Sequence, residues 1–180
     1  MKLFKLDSDL EVCCAIVFKD GEDIHMWDGG FHGEPRGNAY PIPKGERGQE
    51  RIDGPLPDFT HFDLAYPTFS TRAREALDDL LTPHGEFAAI ELDEPMRYFA
   101  FNATTIVDVL DEARSEIARF RSGGVMAVDK HVLLDSITTL PPIFKIPQTR
   151  RNTTYVNEAF VQRAQASGLQ GFRFELLIER

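Results

Sequence analysis

"NEAFVQRAQASGLQGFRFELLI", residues 157–178, holds a helix and a strand in one run, and the change from one to the other decides the fold class. Asn157 is a strong N-cap, because its side-chain oxygen can accept from the free N–H groups of a first helical turn. Val156, Ala159, Phe160 and Ala164 follow at helical spacing and form the face expected to be buried. Gly168 supplies the left-handed residue that commonly ends a helix. "GFRFELLI" then reads as an apolar strand. A chain that closes on a helix-to-strand unit needs a sheet to receive the strand.

Upstream, the same alternation continues. "PTFSTRAREALDDLL" places Ala73, Ala76, Leu77, Leu80 and Leu81 at helical spacing, with Ser70 or Thr71 as N-cap and Pro83 and Gly85 ending the run. "EFAAIEL" and "MRYFAFN", joined by the turn-forming "DEP", predict a hairpin. "TTIVDVLDEARSEIARF" puts Ile106, Val109, Leu110, Ala113, Ile117 and Phe120 on one helical face, which predicts a second helix that starts here with no clear end signal. Short apolar runs at 125–128, 131–134 and 143–146 predict further strands, as do 2–7, 11–18 and 23–27 near the N-terminus. Residues 28–58 are rich in Gly and Pro and predict one long loop, a candidate binding element. Strands and helices interleave irregularly, so the expected class is α+β, a single domain over 1–180 with a mixed, largely antiparallel sheet and two or three packed helices.

A length of 180 residues suits one domain, and 42% hydrophobic content is too high for disorder. With 20 Lys+Arg against 29 Asp+Glu, the net charge of -9 opposes binding to nucleic acid or anionic lipid and favours a basic partner. "MKLFKLDSDLEVCC" has no unbroken apolar core of the signal-peptide kind and no run approaches a membrane span, so a cytoplasmic location is expected. The only cysteines, Cys13 and Cys14, are adjacent, which points to reduced core thiols rather than a disulfide scaffold.

The residue types that carry chemistry are scattered. His25, His32, His61, His84 and His131 show no ligand spacing for zinc, and neither a G-x-S-x-G elbow nor a dinucleotide fingerprint is present. No metal and no cofactor are expected. Asp108, Asp111, Glu112 and Ser115 would form the polar face of the second helix, with Thr105 and Asp108 as its cap. Ser70, Arg72, Arg97, Asn102 and Asp108 are candidates for a polar pocket, with Tyr98 beside them, that could serve a small enzyme or ligand-binding regulator. Asp78, Asp79, Asp93 and Glu94, at a helix end and a hairpin turn, are candidates for an acidic partner-binding face.

The order "PTFSTRAREALDDLL", "EFAAIEL", "RYFAFNATTIVDVLDEARSE", "PPIFKI" and "TYVNEAFVQRAQASGLQGFRFELL" resembles the family known as domain of unknown function 1629, or immunity protein family 11 of bacterial polymorphic toxin systems. The resemblance covers residues 58–177 and leaves 1–57 unmatched. It implies a small cytosolic protein that binds a cognate toxin and neutralises it, read here as stoichiometric occlusion; the apolar patterns of the two helices and the lack of clustered ligands lead to the expectation of a monomer or homodimer. It implies no catalytic set. A ligand-binding regulator or enzyme, or a scaffold for another protein, remains the alternative from the residues alone.

Overall fold

The computed structural model describes residues 1–19, 27, 31–37, 39–49, 53–63, 65–150 and 153–180. Lys2–Ser8 forms β1, Ile16–Phe18 β2, Lys44–Arg47 β3, Phe59–Phe62 β4 and Tyr66–Ser70 β5. Two short helices, Thr71–Ala76 (α1) and Asp78–Leu81 (α2), and a single 3-10 turn lead into Gly85–Leu92 (β6) and Tyr98–Ala103 (β7). Glu116–Arg119 (β8) and Val125–Lys130 (β9) make a separate hairpin. Ile143–Phe144 (β10), Tyr155–Asn157 (β11), Glu158–Ala166 (α3) and Phe172–Glu179 (β12) complete an α+β fold in which strands outweigh helices.

Six strands form one sheet in the order β2-β3-β6-β7-β5-β4, antiparallel except where β3 runs parallel to β6. The sheet curls until its edges meet: the Asp63 amide donates to the Ile16 carbonyl at 2.9 Å, bringing the end of β4 against β2. Side chains alternate cleanly across it, as pleating requires. Tyr98 and Ala100 face the inside of the curl, where Ile16, Phe18, Trp27, Phe31 and Phe62 fill the space. Phe69, Phe101 and Ala103 face the other way, onto Ala73, Leu77 and Leu81 of the short helices and Phe160 and Ala164 of α3. A second sheet, β10-β11-β1-β12, closes that layer through Leu6 and Val156. Its opposite face carries a third core, Leu3, Val109, Leu110, Leu133 and Tyr155, on which the β8–β9 hairpin rests through Ile117 and Val128.

The closing unit forms as its residues dictate. Asn157 accepts from the Phe160 amide at 3.0 Å, and Gly168 adopts φ 61° just beyond α3. The buried face is Phe160, Val161 and Ala164, while Ala159 is exposed and Val156 belongs to β11. The helix expected over 71–81 is capped by Ser70, whose hydroxyl accepts from the Ala73 amide at 3.1 Å, but it breaks at buried Leu77 (φ -115°, ψ 10°).

Four expectations are corrected. The second helix does not form: Val109 and Leu110 are buried in extended chain, Val107 donates to the Lys145 carbonyl and Leu134 to the Val109 carbonyl, and the run ends in β8. Asp111 explains the break, since its carboxylate accepts from the amides of Ala113 and Arg114, both at 3.1 Å, and holds a turn that competes with the helix. Thr105 bonds the His84 ring instead of capping. The strand expected over 11–18 shrinks to Ile16–Phe18, because Cys13 turns back onto the Asp9 carbonyl. The Gly/Pro-rich stretch is not one loop, since Lys44–Arg47 pairs on both sides. Of the run 131–134, only Leu133 bridges, to Leu110. Residues 23–26, 28–30, 38 and 50–52 of the expected N-terminal strand and loop lie outside the described residues.

Candidate functional site

A concave space of about 780 Å³ lies over the exposed part of the second sheet. Its floor is Lys5, Tyr155, Glu175 and Leu177, and Lys5 is the cross-strand neighbour of both Tyr155 and Glu175. One wall is the β8–β9 hairpin with Phe120, Met126, Val128 and His131, and the other is formed by residues 147–150 and 153 of the connection between β10 and β11. Each wall is anchored. The hairpin is fixed by Ser115, whose hydroxyl accepts from the Val132 amide at 3.0 Å, and by the Arg119–Glu112 pair at 2.7 Å. The connection is fixed by Lys145, whose buried ammonium donates to the carbonyls of Phe31 at 2.8 Å and Arg150 at 2.9 Å. Burial pulls Lys145 down to about 8, opposed by nearby Glu34.

In the floor, the Tyr155 hydroxyl sits 2.9 Å from Thr149 Oγ1 and 3.2 Å from His131 Nε2. Burial lowers His131 and raises Tyr155, so both are neutral at pH 7 and the ring nitrogen can accept from the phenol. Above this polar floor stand two large apolar side chains, Phe120 at 55% exposure and Met126 at 54%. A second concave surface, about 590 Å³, surrounds the turn between β6 and β7, lined by exposed Ile42 and by Pro95, Met96, Arg97 and Phe99.

The sequence candidates fall in four places. Ser70 and Arg72 meet at Asp58: Ser70 donates to Oδ1 at 2.9 Å and Arg72 to Oδ2 at 2.8 Å, while the other Arg72 nitrogen reaches the Ser167 carbonyl at 2.9 Å. Arg72 and Arg97 share a shallow hollow with Thr71 and Met96. Asn102 is buried on the opposite face of the sheet, where it accepts from the Gly33 amide at 3.1 Å and donates to the Glu34 carbonyl at 2.9 Å and the Tyr40 hydroxyl at 2.8 Å. Asp108 is exposed and accepts from Gln148 at 3.3 Å. The five therefore do not surround one cavity. Of the acids, Asp79 takes two bonds from Arg163 (2.9 and 3.3 Å), Glu94 one from Arg47 (2.6 Å) and Asp78 one from Thr82 (2.8 Å). Asp78 and Asp79 precede β6 whereas Asp93 and Glu94 follow it, so the length of that strand separates the two pairs.

His61 has a serine and a carboxylate beside its ring, an arrangement that suggests a relay. Ser8 Oγ lies 2.7 Å and Asp7 Oδ1 4.0 Å from its ring, but both face Nδ1, and Ser8 also accepts from the His61 amide at 2.8 Å. A relay needs the hydroxyl and the carboxylate on opposite nitrogens, so this is a tie between β1 and β4. Burial pushes His61 down to about 4. An unfolded histidine titrates near 6.5, so the unfolded chain takes the proton first. The contribution of His61 is complete above pH 6.5 and is lost as pH falls towards 4. Wild type is expected to lose about 3 kcal/mol more than His61→Gln between those limits, read from urea midpoints at each pH; parallel losses in the two proteins would refute a neutral buried ring.

Among the described residues, no group of three or more His, Cys, Asp or Glu is placed to hold a metal ion, and no helix is long and apolar enough to cross a membrane. No protein-family profile matches the chain, and no curated protein matches it significantly.

Proposed function

We propose that this protein is an immunity protein, which binds a cognate bacterial toxin one to one in the cytoplasm and neutralises it by occlusion, with the 780 Å³ groove as its contact surface. The motif order over residues 58–177 supports the immunity class. The observation that carries the surface is the pairing of exposed Phe120 and Met126 with a polar floor of Lys5, Tyr155 and Glu175. Protein interfaces combine apolar anchors with a satisfied polar surround, and a few such anchors hold most of the binding energy. The net charge of -9 favours a basic toxin domain and speeds its encounter.

The acidic set is the weaker surface, because Asp79 and Glu94 already neutralise Arg163 and Arg47. A regulator or enzyme reading keeps only the hollow shared by Arg72 and Arg97, and Asn102 lies across the sheet from it.

The test is co-expression with candidate toxin domains drawn from the genes neighbouring this one. Phe120→Glu with Met126→Glu is expected to weaken the complex by about 100-fold or more and to abolish protection, with an unchanged far-UV spectrum. Full protection by that pair would remove the groove. Loss of protection only on reversing Asp78, Asp79, Asp93 and Glu94 to lysine would move the toxin to the two ends of β6.

A further inference from the structure

Strand β12 is the outermost strand of its sheet, paired on one side only, with β1. The Leu6 amide donates to the Thr154 carbonyl at 3.0 Å, towards β11, so its β12 neighbour Phe174 turns its own N–H and C=O away from β1. By the two-residue repeat, Phe172 and Leu176 do the same. None of these outward groups has a partner among the described residues. Beyond Leu176 a bulge at Leu177 interrupts the ladder, which confines the regular open edge to Phe172–Leu176.

That stretch, "FRFEL", is self-complementary when read against itself in the antiparallel sense. Centred on Phe174, each Arg173 falls opposite the other copy's Glu175, and each Phe172 opposite the other copy's Leu176. All three outward-facing residues then meet in hydrogen-bonded pairs, giving roughly six backbone bonds. Arg173 and Glu175 are exposed, and Leu176 is 49% exposed although its strand is largely apolar. Shifting the centre to Glu175 would set two carboxylates face to face, so charge selects the register.

We propose that two copies of this chain associate by antiparallel pairing of their β12 edges, centred on Phe174, into one continuous eight-stranded sheet. A contact this short buries less than a standard interface, so the dimer is weak and concentration-dependent. The pairing does not depend on what the groove binds.

Sedimentation velocity of the full chain over a wide concentration range tests it. Wild type is expected to shift from monomer to dimer with concentration. Arg173→Glu or Glu175→Arg alone should weaken the dimer by about tenfold, and the double exchange should restore it. Leu176→Pro, which removes an outward amide and no bond to β1, should leave monomer at every concentration. If that variant does not fold, the exposed charge exchange still decides. Wild type that stays monomeric, a dimer indifferent to the single reversals, or a double exchange that fails to restore would each overturn the proposal.

Discussion

Asp58→Ala is expected to lower stability by about 3 kcal/mol, a large share of the 5–15 kcal/mol typical of a domain. Asp58 is 4% exposed and its carboxylate ties two other segments to its own: the start of α1, through Ser70 and Arg72, and the approach to β12, through the Gln170 amide at 3.0 Å. Removing it strands a buried hydroxyl and a part-buried amide and leaves a guanidinium without its partner. Arg72 itself is 57% exposed and can recover water, which holds the cost below that of a fully buried ion pair. Arg72→Ala should therefore cost about 1 kcal/mol. Urea midpoints would show the order, and equal losses for the two variants would mean that the ion pair, not the convergence on Asp58, matters.

Gly171→Ala is expected to cost about 4 kcal/mol, because two penalties add there. Its φ of 89° is strained for any side chain, and a Cβ would lie 2.3 Å from the Phe59 carbonyl oxygen and 2.6 Å from Pro57. Neither neighbour is a flexible side chain that can withdraw. Gly168, with φ 61°, meets only the Arg72 guanidinium at 3.7 Å, so Gly168→Ala should carry the backbone strain alone, about 1 kcal/mol. Thermal melts of the two variants distinguish these; similar losses would show that the close approach at Gly171 relaxes.

The contrast between the two glycines marks how far the sequence could be read. Gly168 stands at the end of a helical periodicity, so its role is local and legible, as are the Asn157 and Ser70 caps and the β6–β7 hairpin. Gly171 matters because of a carbonyl more than a hundred residues earlier in the chain, which no local pattern announces. Residues 104–120 failed for a related reason. Their apolar spacing mimics a helix, but Val109 and Leu110 are buried by contacts with β10 and the 131–134 segment, and Asp111 offers its amides a competing turn. That misreading also hid the groove, since Phe120 was placed on a buried stripe and stands instead 55% exposed on a hairpin. Asn102 is legible as a polar-pocket candidate, but its facing follows from the register that sets it opposite Glu86 of β6, which its neighbours in sequence do not announce.

The filling of the curled sheet has an optical consequence. The chain has one tryptophan, and Trp27 lies fully enclosed there, packed edge-on or tilted against Phe18, Phe31, Phe62 and Tyr66 with its indole N–H bonded to the Pro41 carbonyl at 3.0 Å. Its emission is thus a reporter of that compartment alone, blue-shifted while the curl is shut and moving to longer wavelength when water enters. Circular dichroism sums over both sheets. Denaturation followed by the two signals together shows directly whether the curled sheet and the β1–β12 sheet melt as one cooperative unit or in succession.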